Sequence, residues 1–220
     1  MLVTGEKGRR IDPRVQRTRG LLRRALQELM AEKSFQAITV HDIAERATVN
    51  RATFYAHFQD KYGLLEDSVR ELIRERIARD LSEPPPFTVD NLARLIQTVC
   101  EFLAEMSGHC PPPHAQYEPL MEKQVKEELT RVLTAWLESQ PHSKVGGRAS
   151  PELAAGVASW AIYGAAVQWN QRARRPSAAE FAREVVPFIA VNLQAGFEAP
   201  HAGPPSSGVR PARRKPRPSG

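Results

Sequence analysis

A chain of 220 residues with 41% hydrophobic side chains has apolar material for two small cores, and its net charge of +6 inclines it towards polyanions. No apolar run approaches the ~20 residues of a membrane-spanning helix, and Met1 to Arg10 lacks the apolar stretch of a secretory signal, so a soluble, cytoplasmic protein with no membrane association is predicted. Cys100 and Cys110 are too few for a disulfide framework, and both are expected to be reduced.

The basic excess is concentrated at the ends. Residues 1–24 carry Lys7, Arg9, Arg10, Arg14, Arg17, Arg19, Arg23 and Arg24 against Glu6 and Asp12. Residues 200–220 carry Arg210, Arg213, Arg214, Lys215 and Arg217 with no acid, which leaves a mildly acidic body between two basic arms. Arms of this kind attract phosphate and release counterions; a purely solubilising role is the competing reading, above all for the C-terminal tail.

The first helix is marked by Leu21, Leu22, Ala25, Leu26, Leu29 and Met30 at helical spacing and ends near Lys33, ahead of a loop from Ser34 to Ala37. Thr39, with Asp42 three residues on, resembles a capping box that opens a short helix whose apolar face is Val40, Ile43, Ala44 and Ala47. A turn through Thr48 and Val49 follows. Asn50 then caps a second short helix, with Phe54 and Phe58 four apart on its inward face. Arg51, Ala52, Thr53, Tyr55 and His57 point elsewhere and mix donors, an acceptor and a small contact residue, which is what reading base edges and gripping phosphates requires. A helical hairpin with a merely solvated outer face fits the same spacing.

A longer helix, roughly Lys61 to Asp80, places Leu64, Leu65, Val69, Leu72, Ile73 and Ile77 inward and charges such as Glu71, Arg74, Glu75 and Arg79 outward, and Pro84 to Pro86 stop it. Four further helices are predicted, at about Val89 to Met106, Pro119 to Glu138, Pro151 to Arg172 and Ala178 to Phe197. Ser150 before Pro151 is a start signal, and Ser177 with Glu180 is a second capping box. Pro187 is expected to kink or break the last helix. The helix from Leu153 is apolar around most of its circumference and must be buried on several sides. Beyond Phe197 the Pro, Gly, Ser and Arg mixture predicts disorder.

The segments T-V-H-D-I-A-E-R-A (Thr39 to Ala47), N-R-A-T-F-Y-A-H-F (Asn50 to Phe58) and D-K-Y-G-L-L (Asp60 to Leu65) resemble the TetR family of bacterial transcriptional regulators over about the first third of the chain. The resemblance implies an all-α fold, an N-terminal three-helix helix-turn-helix DNA-binding domain followed by an α-helical ligand-binding and dimerisation domain. Its expected division is a basic flexible arm at 1–15, the DNA-binding domain at 16–62, a connecting helix at 63–81, a regulatory and dimerisation domain at 82–197 and a disordered basic tail at 198–220. It implies base contacts from Asn50, Arg51, Ala52 and Thr53, and phosphate contacts from Thr39, Tyr55, His57 and Lys61, with Arg17, Arg19 and Arg23 of the arm reaching the duplex. It further implies a homodimer through residues 151–197 on a near-palindromic operator in double-stranded DNA, and an unknown small-molecule effector that releases a repressor. The sequence departs from the family in the turn, where glycine is usual and Thr48 stands, a β-branched residue ill suited to positive φ.

For the effector site, Phe102, Met106, Tyr117, Trp136, Tyr163 and Trp169 are candidate lining residues, although aromatic and Met side chains at helical spacing also read as plain core. His109, Cys110 and His114 are the one cluster with metal-ligand residue types, but three prolines constrain the loop and no second Cys/His pair completes a set, so no metal and no cofactor is expected. No nucleophile elbow, P-loop or dinucleotide fingerprint is present, so no catalytic residues and no enzyme are expected. A DNA-binding protein of fixed occupancy and a helical enzyme or carrier remain as alternatives to a ligand-responsive repressor.

Overall fold

A computed structural model describes residues 12–81, 87–109, 118–139 and 150–195. Eight α-helices and one 3-10 turn make up the regular structure among them: α1 (Pro13–Glu32), the turn Phe35–Ala37, α2 (Val40–Arg46), α3 (Arg51–Tyr55), α4 (Lys61–Asp80), α5 (Val89–His109), α6 (Glu118–Ser139), α7 (Pro151–Gln171) and α8 (Ala178–Ala195). The fold is all-α, as the spacing predicts.

α1 begins earlier than its apolar stripe suggests. Asp12 accepts a hydrogen bond from the Arg14 N–H at 2.9 Å and Pro13 occupies the first turn, so residues 13–15, expected in a flexible arm, are helical, and Arg17, Arg19 and Arg23 project from a helix. Leu22, Ala25, Leu26 and Leu29 of α1 meet Phe35, Ile38, Ile43, Ala47, Phe54, Phe58, Leu64, Leu65 and Val69 in a first core. Leu21 and Leu72, placed inward by periodicity, are exposed.

α4 serves both halves. Leu64, Leu65 and Val69 seal the first core, while Ile73, Ile77 and the following Leu81 join a second core built from α5 to α8. Leu120 and Met121 at the start of α6 also pack against the first core. Beside these apolar contacts runs a polar seam between α4 and α6: the Arg70 Nε–H donates to Gln124 Oε1 at 2.8 Å, and Glu128, only 3% exposed, accepts from Arg131 at 2.6 Å and Arg74 at 3.4 Å. Burial alone would push the Glu128 carboxyl up, but the hydrogen bonds and charges of Arg131 and Arg74 outweigh it and hold the pKa below its ordinary value. Arg74 thus turns towards α6, not outward. On the opposite flank, Arg76 gathers Asp80, Glu101 and Glu105 within 3.1 Å and ties α4 to α5.

α8 runs through Pro187 without a break. Pro187 and Arg183, whose carbonyl loses its N–H partner, are both exposed, so water can serve the freed carbonyl while Val186, Ile189, Ala190 and Leu193 hold the helix on the second core. The α7–α8 turn is pinned by the Trp169 indole N–H donating to the Pro176 carbonyl at 2.8 Å, and the Ser177 and Glu180 capping box forms as the sequence implies. Cys100 is buried, and burial pushes its thiol up to about 12. Cys110, His114, the side chain of His109, Pro84 to Pro86, residues 140–149 and the tail from 196 onward lie outside the described residues. Among the described residues no helix is long and apolar enough to cross a membrane.

Candidate nucleic-acid interface

The geometry of the α2–α3 pair starts from two caps and one strained residue. Thr39 Oγ1 accepts from the Asp42 N–H at 3.1 Å while Asp42 Oδ2 accepts from the Thr39 N–H at 2.8 Å, which completes the capping box and fixes the start of α2. The hydrogen bond from Lys33 Nζ at 2.9 Å, followed by that from the Thr39 backbone, holds the Asp42 carboxyl well below the usual range, and the contact ties α2 to the end of α1. Arg46 adds a bidentate pair to Glu32 at 2.8 and 2.9 Å.

α2 ends in a Schellman motif. The Thr48 N–H reaches the Glu45 carbonyl at 3.0 Å and the Val49 N–H reaches the Ala44 carbonyl at 2.9 Å, with Thr48 between them at φ 57°. Among the described residues Thr48 is the one non-glycine with positive φ, so the departure seen in the sequence is met by strain at that residue, not by a reshaped turn. The motif then releases the chain into Asn50, whose Oδ1 accepts from the Thr53 N–H at 2.6 Å and the Thr53 hydroxyl at 2.9 Å.

Only five residues long, α3 is held from behind. Phe54 is fully buried, Phe58 nearly so, their ring centroids lie 6.0 Å apart, and the Arg19 guanidinium sits 4.8 Å from the Phe58 ring centroid. With the phenylalanines inward, Asn50, Arg51, Ala52, Tyr55 and Ala56 are exposed, Thr53 and His57 are half-buried, and Thr39 is exposed at the start of the neighbouring helix. The outer face therefore presents a guanidinium, a phenol, an imidazole, two methyl groups and an amide nitrogen on a rigid base. Asn50 and Thr53 spend part of their hydrogen-bonding capacity on each other, which leaves Arg51 as the longest uncommitted donor group of this face.

The remaining expected contacts are placed differently from one another. Arg17 is exposed on α1. Arg19 pairs with the buried Asp67 at 2.6 Å, and Arg23 reaches Asp67 at 3.3 Å and Glu71 at 3.4 Å, so both lash α1 to α4. Lys61 Nζ donates to the carbonyls of Ile38, Phe35 and Gln36 at 2.7, 2.9 and 3.0 Å. Neither the Asp67 latch nor the Lys61 contacts have a sequence signature, since their partners lie 23 to 48 residues away. The Asp12–Pro13 helix start does have one, a capping residue followed by proline.

Of the residues expected to line an effector site, Phe102, Trp136, Tyr163 and Trp169 are buried in the second core and Met106 packs against it; Tyr117 lies outside the described residues. Burial pushes the Tyr163 phenol up to about 12. A cleft of about 480 Å³ opens elsewhere, between α6 and α7, and none of those residues lines it.

Three comparisons bear on this site. Residues 22–67 match the model of the bacterial regulatory proteins of the tetR family, an interval that contains most of α1, all of α2 and α3 and the start of α4. Two proteins of Bacillus subtilis (strain 168), the uncharacterized HTH-type transcriptional regulators YxbF and YdeS, are 33% identical over 104 residues and 30% identical over 122 residues. These alignments span 46% and 54% of this chain but only 27% and 59% of the relatives' own lengths. The solved structure of Thermus thermophilus FadR, a TetR-family transcriptional repressor in complex with lauroyl-CoA, superposes with a TM-score of 0.51 at 21% identity over 92% of this chain and 100% of that one, a likeness of fold. The capped α2, the phenylalanine-backed α3 and the match over those same residues lead to one statement: residues 22–67 form a segment similar to the bacterial regulatory proteins of the tetR family, and the chain spans 27% and 59% of the lengths of the two curated relatives it matches.

Proposed function

We propose that the protein is a cytoplasmic transcriptional regulator, not an enzyme, that represses by binding a near-palindromic operator as a two-fold dimer and lets go when a small molecule binds its C-terminal half. The observation that carries this reading is the outer face of α3, exposed and donor-rich over a base of two buried phenylalanines. Arg51, with Asn50, Ala52 and Thr53, reads base edges in the major groove; Thr39, Tyr55, His57 and Arg17 contact phosphates. The two cores support a division into a DNA-binding domain, a connecting α4 and a regulatory and dimerisation domain.

The dimer reading is supported by where large apolar side chains stay exposed. Leu153, Val157 and Trp160 follow one another along α7 at helical spacing, and Phe188 and Val191 do so on α8; Trp160 is 62% exposed and Phe188 75%. Such a face on two adjacent long helices suits a second copy of the chain and would set two α3 helices in successive major grooves, about 34–36 Å apart. The effector reading is supported by Trp136, whose indole N–H is buried beside Phe87 with no acceptor among the described residues, so a ligand bearing an acceptor would satisfy it. The lauroyl-CoA held by the Thermus protein makes an acyl-CoA the first effector to try.

Selection of bound sequences from a randomised duplex pool by the full chain tests the reading: an inverted repeat with half-sites about one helical turn apart is expected, released by an acyl-CoA. Uniform, weak recovery of all sequences contradicts DNA reading, and an inverted repeat that no ligand releases contradicts the effector half alone.

A further inference from the structure

Lys61 stands where the family resemblance implies a phosphate contact, yet its ammonium group is turned into the protein. Its three N–H groups meet three carbonyls, those of Phe35, Gln36 and Ile38, and Nζ lies 4.7 Å from the centroid of the buried Phe35 ring and 5.9 Å from that of Tyr62. An ammonium carries three donors, so this set uses all of them. The acceptors lie in and just after the Phe35–Ala37 turn, where the Phe35 carbonyl also accepts from the Ile38 N–H at 3.2 Å, and a cation is favoured beside carbonyls at the end of a helical turn. The last acceptor, Ile38, immediately precedes Thr39, the cap of α2.

We propose that Lys61 is a positioning residue for DNA recognition: it bolts the first turn of α4 to the turn between α1 and α2, fixes the Thr39 cap, and so sets the pitch of α2 and α3 on the duplex. A phosphate has no claim on an ammonium whose protons are already shared among three carbonyls at hydrogen-bond distance. The proposal rests on the DNA-binding reading above, but the clamp itself is a property of the free chain.

The test uses the full chain with Lys61→Arg and Lys61→Met. A planar guanidinium keeps the charge a phosphate would need but cannot converge three N–H groups on the tripod of carbonyls, so the two roles predict opposite behaviour for Lys61→Arg. Two quantities are read: amide hydrogen exchange over residues 35–43 without DNA, and affinity for a selected operator duplex across a salt series. Both variants are expected to speed exchange over 35–43 and to bind operator at least tenfold more weakly, with the log–log salt slope of the wild type retained. Unchanged exchange, wild-type affinity for Lys61→Arg and a slope lowered by about one unit for Lys61→Met would overturn the proposal. Should Lys61→Met fail to fold, Lys61→Arg still decides it. If the wild type selects no operator, the DNA reading fails, while the exchange result independently upholds or overturns the clamp.

Discussion

Thr48 carries a left-handed backbone that L-residues adopt at about 1–2 kcal/mol, and glycine would relieve that strain while adding unfolded-state freedom worth up to ~1 kcal/mol. Thr48→Gly is therefore expected to stabilise the DNA-binding domain by about 0.5–1 kcal/mol, read as a rise of a few degrees in its thermal melt. A fall in stability would show that the threonine side chain has a compensating contact. The Thr39, Asn50, Ser150 and Ser177 caps were legible at this scale, but the turn was only half so, since a threonine where glycine is usual implies either a reshaped turn or local strain and φ 57° at Thr48 decides for strain. Lys61, Arg19 and Arg23 were not: an exposed basic residue and one folded back on a distant partner look alike in sequence, and only Asp67 or the Phe35–Ile38 carbonyls, brought close by the fold, distinguish them.

Between elements, the α4–α6 seam makes stability depend on pH. Glu128 is buried with its folded pKa held below the ordinary value of 4.5, so its pairing with Arg131 and Arg74 contributes stability that is fully present above that value and is lost as pH falls through the folded pKa. Glu128→Gln is expected to cost about 1–3 kcal/mol at neutral pH, leaving two arginines short of an acceptor. Denaturant titrations of both proteins should show that gap narrowing below pH 4.5; a gap that persists unchanged at pH 3 would mean the loss is one of packing. On α7, periodicity shows a helix apolar nearly all round but not which flank waits for a partner. The structure separates the flanks, with Ile162 and Ala166 inside the protomer and Leu153, Val157 and Trp160 outside. Pro187 illustrates the converse: a local rule favoured a kink or break, and exposure of both affected residues with core packing on the other face kept α8 continuous.

Across the whole molecule α4 joins the first core to the helical body, and the proposed function makes DNA affinity depend on whether two copies present two α3 helices together. Trp160→Glu places a charge in the face assigned to the second copy and, inside the protomer, exchanges the Lys126 ammonium's contact with the Trp160 ring for an opposite charge. Sedimentation should show monomers at concentrations where the wild type is dimeric, the protomer should melt within about 0.5 kcal/mol of wild type, and operator affinity should fall at least tenfold. A Trp160→Glu dimer would move the interface elsewhere. Element order and most helix limits were legible at this scale, the start of α1 excepted, because eight apolar stripes punctuated by caps and prolines leave few alternatives; an effector site was not, since Phe102, Trp136, Tyr163 and Trp169 belong to the second core and nothing in their spacing marks a cavity.

In the function proposed for this chain, α3 reads sequence through Arg51. The direct measurement compares wild type and Arg51→Ala on a selected operator and its full set of single base-pair substitutions. The wild type is expected to lose about 1–3 kcal/mol on substitution of one base pair in each half-site, and Arg51→Ala to stop distinguishing bases there while keeping its other preferences. An Arg51→Ala protein with the wild-type specificity profile would contradict that role for Arg51.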